Sequence, residues 1–145
     1  MRKDKENLEI AKKYLDSVRE AKLNAIAIAY RVKELKTTSK KLIAVYQMES
    51  VGGNNKKMDI SDYIVRIDEE VSKQLKAMQI YAKKEQAVKE CIDNLEIEDK
   101  VKRVLSMRYL SFLKWADIAS TCNYSLNHVY RLHVIGLNSV LTKIK

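Results

Sequence analysis

The chain has 145 residues, 46% of them hydrophobic and 32% charged, which bounds it to one modest domain or two small ones. Its 28 basic residues against 19 acidic give +9, a balance that favours a polyanionic partner. Absence of proline, only three glycines, and two cysteines without metal-ligand spacing predict an all-α chain and argue against a disulfide scaffold, a zinc site or a glycine-rich phosphate loop.

Residues from about Lys5 to Met48 read as one long helix or two in series. Leu8, Ala11, Leu15, Val18, Ala25, Ala29 and Val32 recur at steps of three and four, with Lys22 filling one step. Ala25 to Ala29 also alternates as a strand would, but alanine among helix formers favours helix. Thr37-Thr38-Ser39 is the expected kink or break. The charged start, Met1 to Glu6, and the lack of any long apolar run predict no membrane span and a cytoplasmic protein.

Val51-Gly52-Gly53-Asn54-Asn55-Lys56-Lys57 reads as a reversal or link between helices. Asp59 or Ser61 can then cap a second long helix. Its stripe of Ile60, Ile64, Ile67, Val71, Leu75, Met78 and Tyr81 is stronger than that of the first helix. The expectation is a coiled-coil-like helical hairpin over residues 1–93. Such a stripe can be buried within one chain or against another copy, because both arrangements carry the same periodicity. The hairpin is therefore either scaffold or a homo-oligomerisation element.

Asp93 to Asp99 interrupts the pattern with acidic residues suited to a following helix N-terminus. A helix from about Glu98 to Leu110 would carry Val101, Val104, Leu105 and Arg108 toward the last two helices of the chain. Three helices in residues 94–145 make a thin core, near the marginal size for an isolated domain. This C-terminal module is expected to lean on the hairpin.

Trp115-Ala116-Asp117-Ile118-Ala119 begins a short helix, Cys122-Asn123-Tyr124 a break, and Ser125 a second helix. Asn123 suits the reversal, since Asn tolerates the left-handed conformation. Ser125 suits an N-cap. Around Val129 the buried face is expected to hold Leu126, Leu132, His133, Gly136, Leu137 and Val140, with Val129 and Leu132 packing back onto Ile118. Asn127, Arg131 and Asn138 fall opposite, flanked by His128 and Tyr130. Trp115 and His133 read as packing residues.

The runs Leu105-Ser106-Met107-Arg108-Tyr109-Leu110, Trp115 to Ala119, Tyr124-Ser125 and His128 to His133 resemble region 4 of sigma-70-type factors. They are similar, more closely, to small phage-encoded late-gene regulators of the ArpU-like and RinA-like kind. The likeness covers roughly Glu98 to Leu141. It departs at Asn123, where such turns usually carry glycine, and in a reading face with fewer charges than a sigma factor's. Such a likeness implies a helix-turn-helix with its second helix in the major groove of double-stranded DNA, and makes RNA polymerase a credible partner in the alternative of a helical adaptor.

From Lys100 onward eight basic residues face one acidic, Asp117, which is the charge distribution of a polyanion-binding module. Arg131 is the candidate for base reading, because its planar fork can make two hydrogen bonds to guanine, and Asn127 can pair similarly with adenine. A salt bridge from Arg131 to Asp117 is the structural alternative. Lys114 is assigned to phosphate, Ser125 to the helix N-terminus that meets the backbone, and His128 and Tyr130 to the rim. His128 and His133 lie on different helix faces, and no acid or nucleophile accompanies them, so no catalytic residue, metal or cofactor is expected. The expected function is sequence-specific transcription regulation by a phage-type protein. The alternatives are a DNA-packaging recognition subunit and a helical adaptor for polymerase or another protein.

Overall fold

A computed structural model describes residues 2–48 and 54–144, with backbone alone for 54–59. The described residues form helices and short connections, with no strand among them. The order is α1 (Arg2–Met48), α2 (Asn54–Asp93), α3 (Asp99–Tyr109), α4 (Trp115–Cys122) and α5 (Leu126–Ile144). None of these helices is long and apolar enough to cross a membrane.

Two sequence expectations change at the long helices. α1 continues through Thr37-Thr38-Ser39 without a break. The Thr37 hydroxyl donates to the Lys33 carbonyl at 2.9 Å, so its polar group is satisfied inside the helix rather than by ending it. α2 already begins at Asn54, which puts Asn54 to Lys57 in helix and places Asp59 and Ser61 within it rather than at a cap. Val51, Gly52 and Gly53 lie outside the described residues.

The chain divides into two compact units, Met1–Ala21 with Tyr81–Lys145, and Lys22–Ile80. In the first, two apolar clusters form. Ala11, Leu15 and Val18 of α1 share one cluster with Val88 and Ile92 of α2, Leu95 of the following connection, Leu105 and Tyr109 of α3, and Leu137, Val140 and Leu141 of α5. The second cluster joins Val101 and Val104 of α3, Ile118 and Ala119 of α4, and Val129 and Leu132 of α5. Thus α3 and α5 each bury one end in either cluster, which fixes α4 by way of its neighbours. The core of residues 94–145 is shared with the first turns of α1 and the last turns of α2.

Helix ends in this unit are closed locally. Lys102 Nζ donates to the Asp93 carbonyl at the end of α2 at 3.0 Å. Asp99 places an acidic group in the first turn of α3 and Arg108 a basic one in its last, both favourable to the helix dipole. Two non-glycine residues with positive φ bracket α4, Phe112 at 59° and Asn123 at 57°. Between α3 and α5, Gly136 lies against Leu105 so closely that a Cβ there would meet three Leu105 side-chain carbons at 2.8 Å.

The second unit contains residues 22–48 of α1 and the α2 residues up to Ile80. Among its described residues the buried side chains are small: Ala25, Val32, Ser39 and Ala77. Arg31 approaches Glu70 at 3.6 Å, and Glu70 also pairs with Lys73 at 3.2 Å. The apolar stripe of α2, which the sequence left open to burial within the chain or against another copy, is only partly covered: Ile60, Ile67 and Val71 are half-buried. Ile64, Leu75 and Met78 are 49%, 58% and 52% exposed, while Ala77 takes the buried position.

Candidate nucleic-acid interface

The α4–α5 junction is built by backbone geometry and one cap. Asn123 adopts φ 57°, ψ 41°, the left-handed conformation that ends α4. The Tyr124 N–H bonds the Ala119 carbonyl at 2.9 Å, and the Asn123 N–H bonds the Ser120 carbonyl at 3.3 Å. This pair of bonds is the arrangement by which a left-handed residue satisfies the last carbonyls of a helix. One residue on, Ser125 Oγ accepts from the His128 N–H at 3.1 Å, and the Ser125 carbonyl accepts from Val129 N–H at 3.1 Å. Ser125 therefore caps α5.

Packing then orients α5. Val129, Leu132, His133, Gly136, Leu137, Val140 and Leu141 are its buried residues. Ile118 and Ala119 of α4 meet Val129 and Leu132 in one cluster. Leu126, expected on this face, is instead 42% exposed. The opposite face carries Asn127, Arg131 and Asn138, all exposed. Val134 and Ile135, at 42% and 46% exposure, share it, and sequence reasoning had not singled them out.

The candidate residues sit as follows. Lys114, exposed, is the N-cap residue of α4, and its carbonyl accepts from the Ile118 N–H at 3.0 Å. Ser125, Asn127 and Arg131 are exposed along the first turns of α5, while His128 is half-buried, with Tyr124 edge-on to its ring at 4.8 Å. Among the described residues Arg131 makes no ion pair with Asp117. It lines a groove of about 360 Å³ with Ile97, Lys100, Val101, His128 and Ile135. Tyr130 stands on the other side, in edge contact with Trp115 at 5.5 Å. The geometry thus groups Ser125, Asn127, His128 and Arg131 around one end of α5, with Tyr130 turned toward Trp115.

Behind Tyr130 lies a feature that sequence reasoning missed. Lys12 and Asp16 of α1, Arg108 and Tyr109 of α3, Trp115 of α4, and Tyr130 and His133 of α5 enclose a pocket of about 280 Å³. The Arg108 guanidinium lies 4.4 Å above the Trp115 ring, and its Nη1 donates to the Leu113 carbonyl at 3.1 Å. Trp115 also packs edge-on to His133 at 4.5 Å. It is a packing residue covered by a cation, as the sequence reading favoured. The Tyr109 hydroxyl and His133 Nε2 are joined by a buried hydrogen bond of 2.6 Å. Burial, with the nearby charges of Lys12 and Arg108, lowers the His133 pKa to about 4, so the imidazole is neutral at pH 7. Burial raises the Tyr109 hydroxyl, and it raises the Asp16 carboxyl against the opposing charges of Arg108 and Arg19. Only the spacing of Arg108 and Trp115 was available to signal this pocket, since Lys12 and Asp16 come from the far end of the sequence.

Among the described residues no group of three or more His, Cys, Asp or Glu side chains is placed to hold a metal ion. Comparison with known proteins finds no matching family model, no matching curated protein and no matching solved structure.

Proposed function

We propose that this chain is a sequence-specific DNA-binding transcription regulator, phage-type by its resemblance, in which α4, the Asn123 turn and α5 act as a helix-turn-helix. Residues 1–93 act as a helical hairpin that supports this module. The observation that carries the reading is the junction itself: a left-handed turn, a Ser125 cap and a helix whose buried side is anchored on Ile118 while Asn127 and Arg131 remain exposed. Capped N-termini of this kind favour phosphate, and the two exposed side chains have the donor patterns that discriminate guanine and adenine. Excess basic charge after Lys100, eight residues against one, adds attraction for the polyanion. Lys114 contacts phosphate, and His128 and Tyr130 form the rim.

Selection from a random DNA library, at fixed salt, with wild type and an Asn127→Ala/Arg131→Ala variant tests the proposal. Enrichment of a motif by wild type that the variant no longer enriches supports base reading. Salt-sensitive binding of equal strength to every sequence, shared by both proteins, refutes it.

A second reading is favoured by Val134 and Ile135, which put apolar surface on the same face as Arg131. In this alternative the chain is an adaptor whose α5 docks on RNA polymerase or another protein. It predicts that Val134→Lys abolishes protein binding in a chain that selects no DNA motif.

A further inference from the structure

Along α2 the residues turned toward the inside of the second unit are not its most apolar ones. Ala77 is buried, Gln74 is half-buried, and the Glu70 side chain is only 13% exposed beside Arg31. One Glu70 carboxylate oxygen is enclosed without a hydrogen-bond partner among the described residues. At about 100° per residue, Ile64, Val71, Leu75 and Met78 centre roughly a quarter of a turn away from these three. The helix therefore buries a polar and small-residue line within the unit and leaves its large aliphatic line on the flank, half in water. A single chain with this sequence satisfies its weaker face and leaves Ile64, Leu75 and Met78 of the stronger one about half exposed.

We infer that the Ile64–Val71–Leu75–Met78 flank of α2 is an interface with a second copy of this chain, α2 pairing with α2 of its partner. Three physical features select this occupant. The first is core size: among the described residues of 22–80 the fully buried apolar side chains are Ala25, Val32 and Ala77, a small core for a unit of that length. Adding the aliphatic flank of each copy supplies the missing core. The second is charge. Residues 60–80 carry three basic and four acidic groups, so two such segments can lie side by side without repulsion. Residues 22–48 carry six basic against one acidic, which opposes pairing through α1. The third is the rim: Asp68, Ser72 and Gln79 border the free side of the stripe, a short, weakly charged edge of the kind that surrounds an apolar interface core. Related by a two-fold axis, the same patch serves both partners. Pairing of this face stands apart from DNA binding, and a chain that reads no base would still form it.

Sedimentation equilibrium of the full chain at micromolar concentration, compared with Leu75→Glu/Met78→Glu and Leu23→Glu/Tyr30→Glu variants, tests the inference. Wild type and the α1 variant are expected at twice the 16.8 kDa chain mass, and the α2 variant at the single mass. Far-ultraviolet circular dichroism of the α2 variant at low temperature reports whether its helices persist. A Ser72→Cys chain, which alters only the rim, supplies a second readout: oxidation is expected to link two copies through this position. A wild-type mass of one chain overturns the inference, as does a dimer that survives Leu75→Glu/Met78→Glu or fails to cross-link at Ser72→Cys.

Discussion

Leu105 fills the space in front of Gly136, its side-chain carbons standing 2.8 Å from where a Cβ would project. Leu105 is fully buried and cannot swing away. Gly136→Ala should therefore push α3 from α5, at an overpacking cost of about 1–3 kcal/mol, against which helix propensity returns at most about 1 kcal/mol. Urea unfolding measures the balance. A variant more stable than wild type would show that α3 yields at no cost.

His133 makes stability depend on pH. Folding lowers its pKa from 6.5 to about 4, so the unfolded chain takes up the proton first as pH falls. Stability from the neutral imidazole is complete above about pH 6.5 and is lost progressively toward pH 4, up to a total on the order of 3 kcal/mol. Urea midpoints measured across that window should fall for wild type and fall less for His133→Gln, which keeps a partner for the Tyr109 hydroxyl. Parallel profiles would assign the fall to other groups; the raised Asp16 carboxyl acts in the opposite sense, favouring the folded chain as pH falls.

Leu15 belongs to the same cluster as Leu105 and Leu137, although more than a hundred positions separate the first from the last. Leu15→Ala should cost about 2–5 kcal/mol and loosen α3 and α5 as much as α1. A fragment of residues 94–145, which lacks Leu15, Val88 and Ile92, should unfold without cooperativity. Hydrogen exchange reads both outcomes. Full protection of α5 in the fragment would mean that the second cluster suffices.

Asn123 holds a left-handed conformation at the α4–α5 turn. Asn123→Gly should be neutral or stabilising, while Asn123→Val should cost about 1–2 kcal/mol. Thermal melts of the two variants should order them on either side of wild type.

Lys114, if it neutralises one phosphate, should contribute about one unit to the slope of log affinity against log salt. Lys114→Ala is expected to lower that slope by about this amount at every DNA sequence. An unchanged slope removes Lys114 from the contact.

Local chemistry made part of this architecture readable. Asn123, Ser125, and the Ile118, Val129 and Leu132 contacts follow from turn preference, capping and periodicity, all properties of neighbours in sequence. Thr37 misled because a hydroxyl can break a helix or bond back into it, and only the Lys33 carbonyl decides which. Periodicity marked Ile64, Leu75 and Met78 as an apolar face but carries no information on which surface covers it. The pocket of Lys12, Asp16, Arg108 and Trp115 was hidden for a similar reason, since nothing in the first helix announces its neighbours in α3 and α4.

The cluster that joins Ala11, Leu15 and Val18 to Leu137, Val140 and Leu141 sets the order of events during synthesis. The turns of α1 around Leu15 leave the ribosome with their apolar side uncovered and wait for α5 to emerge. At translation rates of about 5–20 residues per second, that wait is on the order of ten seconds. Closure of this cluster thus waits until α5 has emerged, and a defect near Val140 would be felt first as loss of newly made chains to aggregation.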